Sequence, residues 1–83
     1  MENYYILTFQ NTLGAINGES ILKERNIKIE IMPTPTSITK SCGISIKVGT
    51  DYIDQIKELI KGSKINIKNI YLKDSGEYKV IEL

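Results

Sequence analysis

Two runs of this chain alternate with a period of two: "NIKIEIMP" (26–33) and "CGISIKV" (42–48). In the first, Ile27, Ile29 and Ile31 share one side, and Lys28 and Glu30 the other. In the second, Cys42, Ile44, Ile46 and Val48 share one side, with Ser45 and Lys47 opposite. A strand places alternate side chains on opposite faces, whereas a helix would scatter these isoleucines around its axis. The first run stops at Pro33, which has no N–H to give to a sheet ladder. The pattern predicts two half-buried strands joined by a loop from Pro33 to Ser41.

The remaining elements fall around this pair. "YYILTF", Tyr4 to Phe9, is aromatic and β-branched and reads as an opening strand. Asn11 or Thr12 is suited to cap a helix over about Leu13 to Arg25. On that helix Gly14, Ala15, Gly18, Ile21 and Leu22 share one face. Most of them are small, so the helix is expected to lie close to what it covers. Glycine inside a helix costs about 1 kcal/mol against alanine, and Gly18 is explained by that approach. A second helix is predicted over about Asp51 to Lys61, with a stripe of Tyr52, Ile53, Ile56, Leu59 and Ile60 and Gly62 as terminator. "INIKNIYL" reads as a fourth strand whose alternation changes phase near Lys68–Asn69, as at a bulge. The end of the chain is expected to turn at Asp74–Gly76 and add a short fifth strand or a tail. The order β-α-β-β-α-β predicts an α+β fold: a ferredoxin-like split βαβ sandwich, antiparallel, with both helices on one face and a short C-terminal strand or tail. All strands are expected to turn their apolar faces to the helices.

At 83 residues, 1–83 is expected to be a single domain with little room for a deep cavity. The formal charge is +1, which supplies no broad field for nucleic acid or an anionic membrane, so neither is an expected partner. No apolar run reaches the roughly 20 residues of a membrane span, and "MENYYILTFQ" lacks the basic start and apolar stretch of a secretory signal. One cysteine cannot make an internal disulfide, and a cytoplasmic location is expected. With one Cys and no His, a zinc site within one chain is close to excluded, as are Ser–His and Cys–His catalysis. No Gly-rich phosphate loop is present. No cofactor or metal is expected, and the chain is not expected to be a turnover enzyme.

In the predicted topology, the first helix starts at the edge of the sandwich where the loop after the second strand also lies. Cys42 opens the third strand there, and its parity turns it toward the helix-covered side, near Asn11, Thr12 and Leu13. A helix start presents unpaired N–H groups and roughly half a positive charge, which favours a thiolate. The first turn, "TLGA", holds no acidic side chain. Gly14 and Gly43 leave space for backbone or a sulfur substituent, and Lys40 adds a positive charge. Beside this stands a plainer account, in which a lone cysteine in phase with isoleucines packs as a small hydrophobe. On that account Pro33 and Pro35 stiffen a loop, the five tyrosines pack core and rim, and Lys40 is a solvated charge.

"YYILTF", the polar pair capping a helix with small residues and "ILKE", and "PTP" eight residues ahead of "SCG" together resemble the bacterial Se/S carrier protein-like family. The likeness runs from about Tyr4 to Tyr71, and its most specific part is Pro33-Thr34-Pro35 with Ser41-Cys42-Gly43. The resemblance implies a sulfur or selenium carrier in which Cys42 holds the chalcogen, Ser41 and Gly43 flank it, and the Pro33–Pro35 loop frames it. Two places depart from the family's pattern. Thr36 stands where a basic residue follows the second proline, and the tail continues past Lys73.

The expected function is therefore a relay. The Cys42 thiolate takes sulfur from a donor persulfide, or accepts reduced selenium, and passes it to an acceptor, so its partners are donor and acceptor proteins. The alternative is a non-catalytic regulatory or interaction module of the same fold, with Cys42 structural and an edge strand open to a partner or to a homodimer. RNA binding is the weakest reading: the first strand carries Tyr4, Tyr5 and Phe9, but "CGISIKV" has no aromatic residue.

Overall fold

The computed structural model describes residues 3–35, 38 and 43–81. The described residues form β1 (Tyr4–Thr8), α1 (Thr12–Glu24), β2 (Ile29–Pro33), β3 (Ile44–Gly49), a single 3-10 turn (Thr50–Tyr52), α2 (Ile53–Lys61), β4 (Asn69–Asp74) and β5 (Glu77–Ile81). The five strands make one sheet in the order β2-β3-β1-β4-β5, and every neighbouring pair is antiparallel. Consequently β1 and β2 run the same way with β3 between them, while β3 and β4 run the other way with β1 between them. Each helix connects two parallel strands that straddle a third.

Register decides what each face of the sheet carries. One row across the sheet is Ile31, Ile46, Leu7, Ile70 and Ile81; the next is Ile29, Val48, Tyr5 and Leu72. Leu7, Ile46, Val48 and Ile70 join Ala15 and Leu22 of α1 and Ile56 and Leu59 of α2 in one buried cluster, so both helices cover this face. The α2 stripe lies as its spacing predicts, with Ile56 and Leu59 buried and Tyr52, Ile53 and Ile60 packed against the cluster. Phe9, just past β1, lies under α1 at Gly18: a methyl added there would stand 2.7 Å from Phe9 Cε2 and 2.8 Å from Cζ. The close approach expected from the small residues is thus an approach to one aromatic ring.

The apolar strand faces do not all turn to the helices. Ile6 points to the opposite face, yet has no exposed surface. It is flanked in register by Lys47 and Tyr71. Lys47 lies with Nζ 4.4 Å from the Tyr4 ring centre and 3.6 Å from the Glu30 carboxylate. Amphipathic side chains of this kind shield apolar surface with their stems while their heads stay wet.

Several boundaries differ from the sequence reading. β4 starts at Asn69, not Ile65, and the phase change at Lys68–Asn69 marks entry into the strand rather than a bulge. Ile65 is buried in the core cluster, and Lys68 N–H donates to Thr8 C=O at 2.8 Å, where pairing begins. β2 likewise starts at Ile29, because Asn26 and Ile27 close α1. Asn26 takes a left-handed φ of 61° while Ile27 N–H reaches back to Leu22 C=O at 3.1 Å. α2 ends the same way, with Lys64 N–H donating to Leu59 C=O at 2.9 Å. There the left-handed residue is Ser63 (φ 56°), and Gly62 stays at φ −83°. The tail forms a hairpin whose turn places Ser75 and Gly76 at φ 52° and 83°, as a two-residue type I′ connection requires.

A serine in left-handed backbone carries a steric penalty that glycine escapes. Ser63→Gly is therefore expected to stabilise the fold by roughly 0.5–1 kcal/mol, a few degrees of melting temperature in a domain of this size. A thermal melt that falls or stays level would contradict it.

Candidate functional site

Those of the expected site residues that the structure describes lie along one edge of the sheet. β1 ends there at Thr8 and leads through Phe9 and Gln10 to Asn11, the N-cap of α1. The Asn11 side chain accepts a hydrogen bond from Gly14 N–H at 2.8 Å, which settles the choice between Asn11 and Thr12 as the cap. Thr12 and Leu13 open the helix, and the helical bonding pattern leaves their amides without intrahelical partners. No acidic side chain stands in that first turn. Leu13 is 66% exposed, so this helix start faces solvent.

β2 ends and β3 begins on the same edge. Pro33 is paired with Ile44, the last register pair of the two strands. Since Pro33 has no N–H, the next donor along β2 is Thr34, whose N–H reaches Gly43 C=O at 3.3 Å. The Thr34 hydroxyl meets the Ser45 hydroxyl at 2.6 Å in a buried pair. Ser45 is opposite Thr8 in the β1–β3 register, and the Thr8 hydroxyl donates to Asn69 C=O at 3.2 Å. A polar row thus runs from Thr34, just past β2, through Ser45 of β3 and Thr8 of β1 to the Asn69 carbonyl of β4. Thr8, Thr34 and Ser45 are the buried polar residues of the described chain. Past Thr34, Pro35 C=O accepts from Ile38 N–H at 3.0 Å.

The structure brings Pro33, Thr34 and Gly43 together and places Asn11, Thr12 and Leu13 on the same edge. The Thr34 side chain points to the face away from α1, because its partner Ser45 alternates with Ile44 and Ile46, which pack toward the helices. Lys40, Ser41 and Cys42 lie outside the described residues, as does Thr36; β3 begins at Ile44 rather than Cys42. The sequence reading placed Ser45 with Lys47 on the face opposite the isoleucines and did not foresee its burial. Alternation reports which side of a sheet a residue takes and is blind to what covers that side.

The pattern of the family described as Putative Se/S carrier protein-like matches residues 4–72. The chain belongs to that family. The match opens with β1 and closes inside β4, so the Pro33–Gly43 loop and its flanking strands fall within it, while β5 lies beyond it. No curated protein and no solved structure matches the chain.

Other features of the described residues stand apart from this edge. A groove of about 420 Å³ lined by Tyr4, Lys28, Glu30, Lys47, Gly49 and Asp51 lies at the opposite ends of β1, β2 and β3 and carries both signs of charge. Among the described residues, no three His, Cys, Asp or Glu side chains gather as metal ligands. No described helix is long and apolar enough to cross a membrane.

Proposed function

We propose that this chain is a sulfur or selenium carrier that holds the chalcogen on Cys42. Membership of the Se/S carrier-like family carries the reading, and the edge geometry supports it. Gly43, next to Cys42 in sequence, is hydrogen-bonded to Thr34 at the sheet edge where the uncharged, solvent-facing start of α1 also lies. Amides at such a start stabilise a thiolate or a persulfide anion. On this reading Asn11, Thr12 and Leu13 supply the anion-stabilising end, the loop from Pro33 through Thr34 and Pro35 frames the thiol, and Lys40, Ser41 and Gly43 are its neighbours in sequence. We read the interleaved strand–helix–strand units as a ferredoxin-like sandwich extended by β5.

The transfer is a thiol–persulfide exchange. The Cys42 thiolate attacks the terminal sulfur of a donor persulfide (R–S–SH). A new S–S bond forms on Cys42, the donor's S–S bond breaks, and the donor leaves as a thiolate. The terminal sulfur keeps its proton, and no outside oxidant is consumed. Selenium follows the same exchange when the donor presents it as R–S–SeH; bare selenide would require an oxidant and is left out. The loaded group then passes to an acceptor by the reverse chemistry, in a bacterial cytoplasm on the family analogy, which makes the chain a carrier and not a turnover enzyme. Incubation with a cysteine desulfurase and cysteine, read by intact mass, is expected to add sulfur to the wild type and none to Cys42→Ser. Equal masses in the two proteins would end the proposal.

A second reading, a non-catalytic interaction module with a structural Cys42, draws on the two outer strands of the sheet, β2 and β5, and on Val80, which is 57% exposed on β5. An unreactive thiol in the native protein near neutral pH would favour it.

A further inference from the structure

We infer that the outer edge of β5 pairs with β5 of a second copy of this chain, antiparallel and centred on Tyr78. The inference stands apart from what Cys42 does. β5 ends the sheet, and among the described residues no strand lies beyond it. A two-residue hairpin turn is flanked by a pair that exchanges both backbone hydrogen bonds, here Asp74 and Glu77. Backbone groups alternate in direction from there. Glu77, Lys79 and Ile81 turn theirs toward β4, and Tyr78 and Val80 turn theirs outward. The strand holds no proline, so both outward positions have an N–H to give. β2, the other outer strand, is less suited. Thr34 N–H bonds across to Gly43 C=O, so Pro33 before it turns outward and has no N–H to offer there.

The side chains select the occupant. Glu77 and Lys79 are exposed and lie in phase with Ile81, which packs against the core cluster on the helix side of the sheet. Charges so placed on an edge strand deter pairing with extended segments in general. A second copy answers them, because the two charges are of opposite sign and stand one step either side of Tyr78. Centred there, antiparallel pairing sets Glu77 of each copy opposite Lys79 of the other. Lys79 Nζ is 4.0 Å from the Asp74 carboxylate of its own chain, and its exposed end has room for a second carboxylate. On the other face Tyr78 meets Tyr78 of the copy, and the two exchange N–H···O bonds. Val80, 57% exposed, then lies opposite Gly76 of the copy, which has no side chain to oppose it. Centring the pair on Glu77 or on Lys79 sets like charges directly opposite, which destabilises a sheet. Charge thus favours both the second copy and this register.

Sedimentation equilibrium of the full chain at low salt tests this. One strand edge is smaller than a standard interface, so association is expected at roughly 10 µM to 1 mM. Across that range the mass should rise from that of the 9.4 kDa chain toward twice that value. Glu77→Lys and Lys79→Glu each turn two attractive pairs into two repulsive ones. Each is expected to weaken association about tenfold or more. The double variant Glu77→Lys/Lys79→Glu restores opposite charges in this register and is expected to associate as the wild type does. Both positions are exposed, and far-UV circular dichroism checks that every variant keeps its fold. A wild type that stays monomeric at 1 mM overturns the inference. So do single reversals that leave association unchanged, which would put any dimer on another surface. A double reversal that stays as weak as the single ones overturns the register and the inference with it. No arm involves Cys42 or a sulfur donor, so these results leave the carrier reading as it stands.

Discussion

Phe9→Ala is expected to lower the unfolding free energy by about 3–5 kcal/mol, the range for removing a fully enclosed aromatic ring. A domain of this length has a total of roughly 4–12 kcal/mol, so the variant should be partly or wholly unfolded at physiological temperature. The ring is fully buried and belongs to the core cluster. It occupies the step between β1 and α1, where a methyl built at Gly14 would stand 3.7 Å from its Cβ and one built at Gly18 would press on its far edge. Removing it takes away the surface on which the first half of α1 rests and loosens Ile65, whose Cδ1 is the third neighbour of that Gly18 methyl. Urea unfolding followed by far-UV circular dichroism measures the loss. A decrease below about 1 kcal/mol would mean the space can refill, contrary to the close packing of interiors.

The second large effect is one of sign. On an open helix Gly18→Ala would gain about 1 kcal/mol from backbone propensity. Here it is expected to destabilise by about 1–2 kcal/mol net, because a methyl 2.7 and 2.8 Å from two ring carbons forces Phe9 or α1 to shift. The two sites are in contact, so their effects should not add. Gly18→Ala placed on Phe9→Leu is expected to be milder than on wild type by about 1 kcal/mol, the coupling typical of touching residues. A Gly18→Ala protein with a raised midpoint would show that α1 does not press on the ring.

Some of this was legible in the residues and some was not, for identifiable reasons. The strands of Ile29, Ile46 and Leu7 and the α2 stripe show in the sequence, since one buried face imposes a period on each element and each period is local. The turn at Asp74–Gly76 was legible too, because few residues accept left-handed backbone, while the choice of a paired fifth strand over a tail was not. The end of α2 at Lys61 was legible, but the left-handed residue that follows it is Ser63 and not the adjacent Gly62. Ile65 was read as strand because a buried residue in a loop and one in a strand are alike in hydrophobicity.

The candidate site divides in the same way. Sequence motifs alone pointed to the family and to the Pro33–Pro35 and Ser41–Gly43 segments, and nothing in the fold was needed to name them. That Thr34 turns from the helices to meet Ser45 depended on register between strands eleven positions apart in the chain, a contact no local pattern encodes. By itself the sequence determined which elements the chain forms and in what order (though not where β2 and β4 begin), which of their faces are apolar, and the family, since propensity, periodicity and motif are properties of neighbouring residues. The tertiary structure alone decided the strand order, the enclosure of Ile6, Thr8 and Ser45 on the outer face, and the seating of Phe9 on Gly18. Each of these is a matter of which distant surfaces meet and exclude water, and that is fixed only when the whole chain has packed.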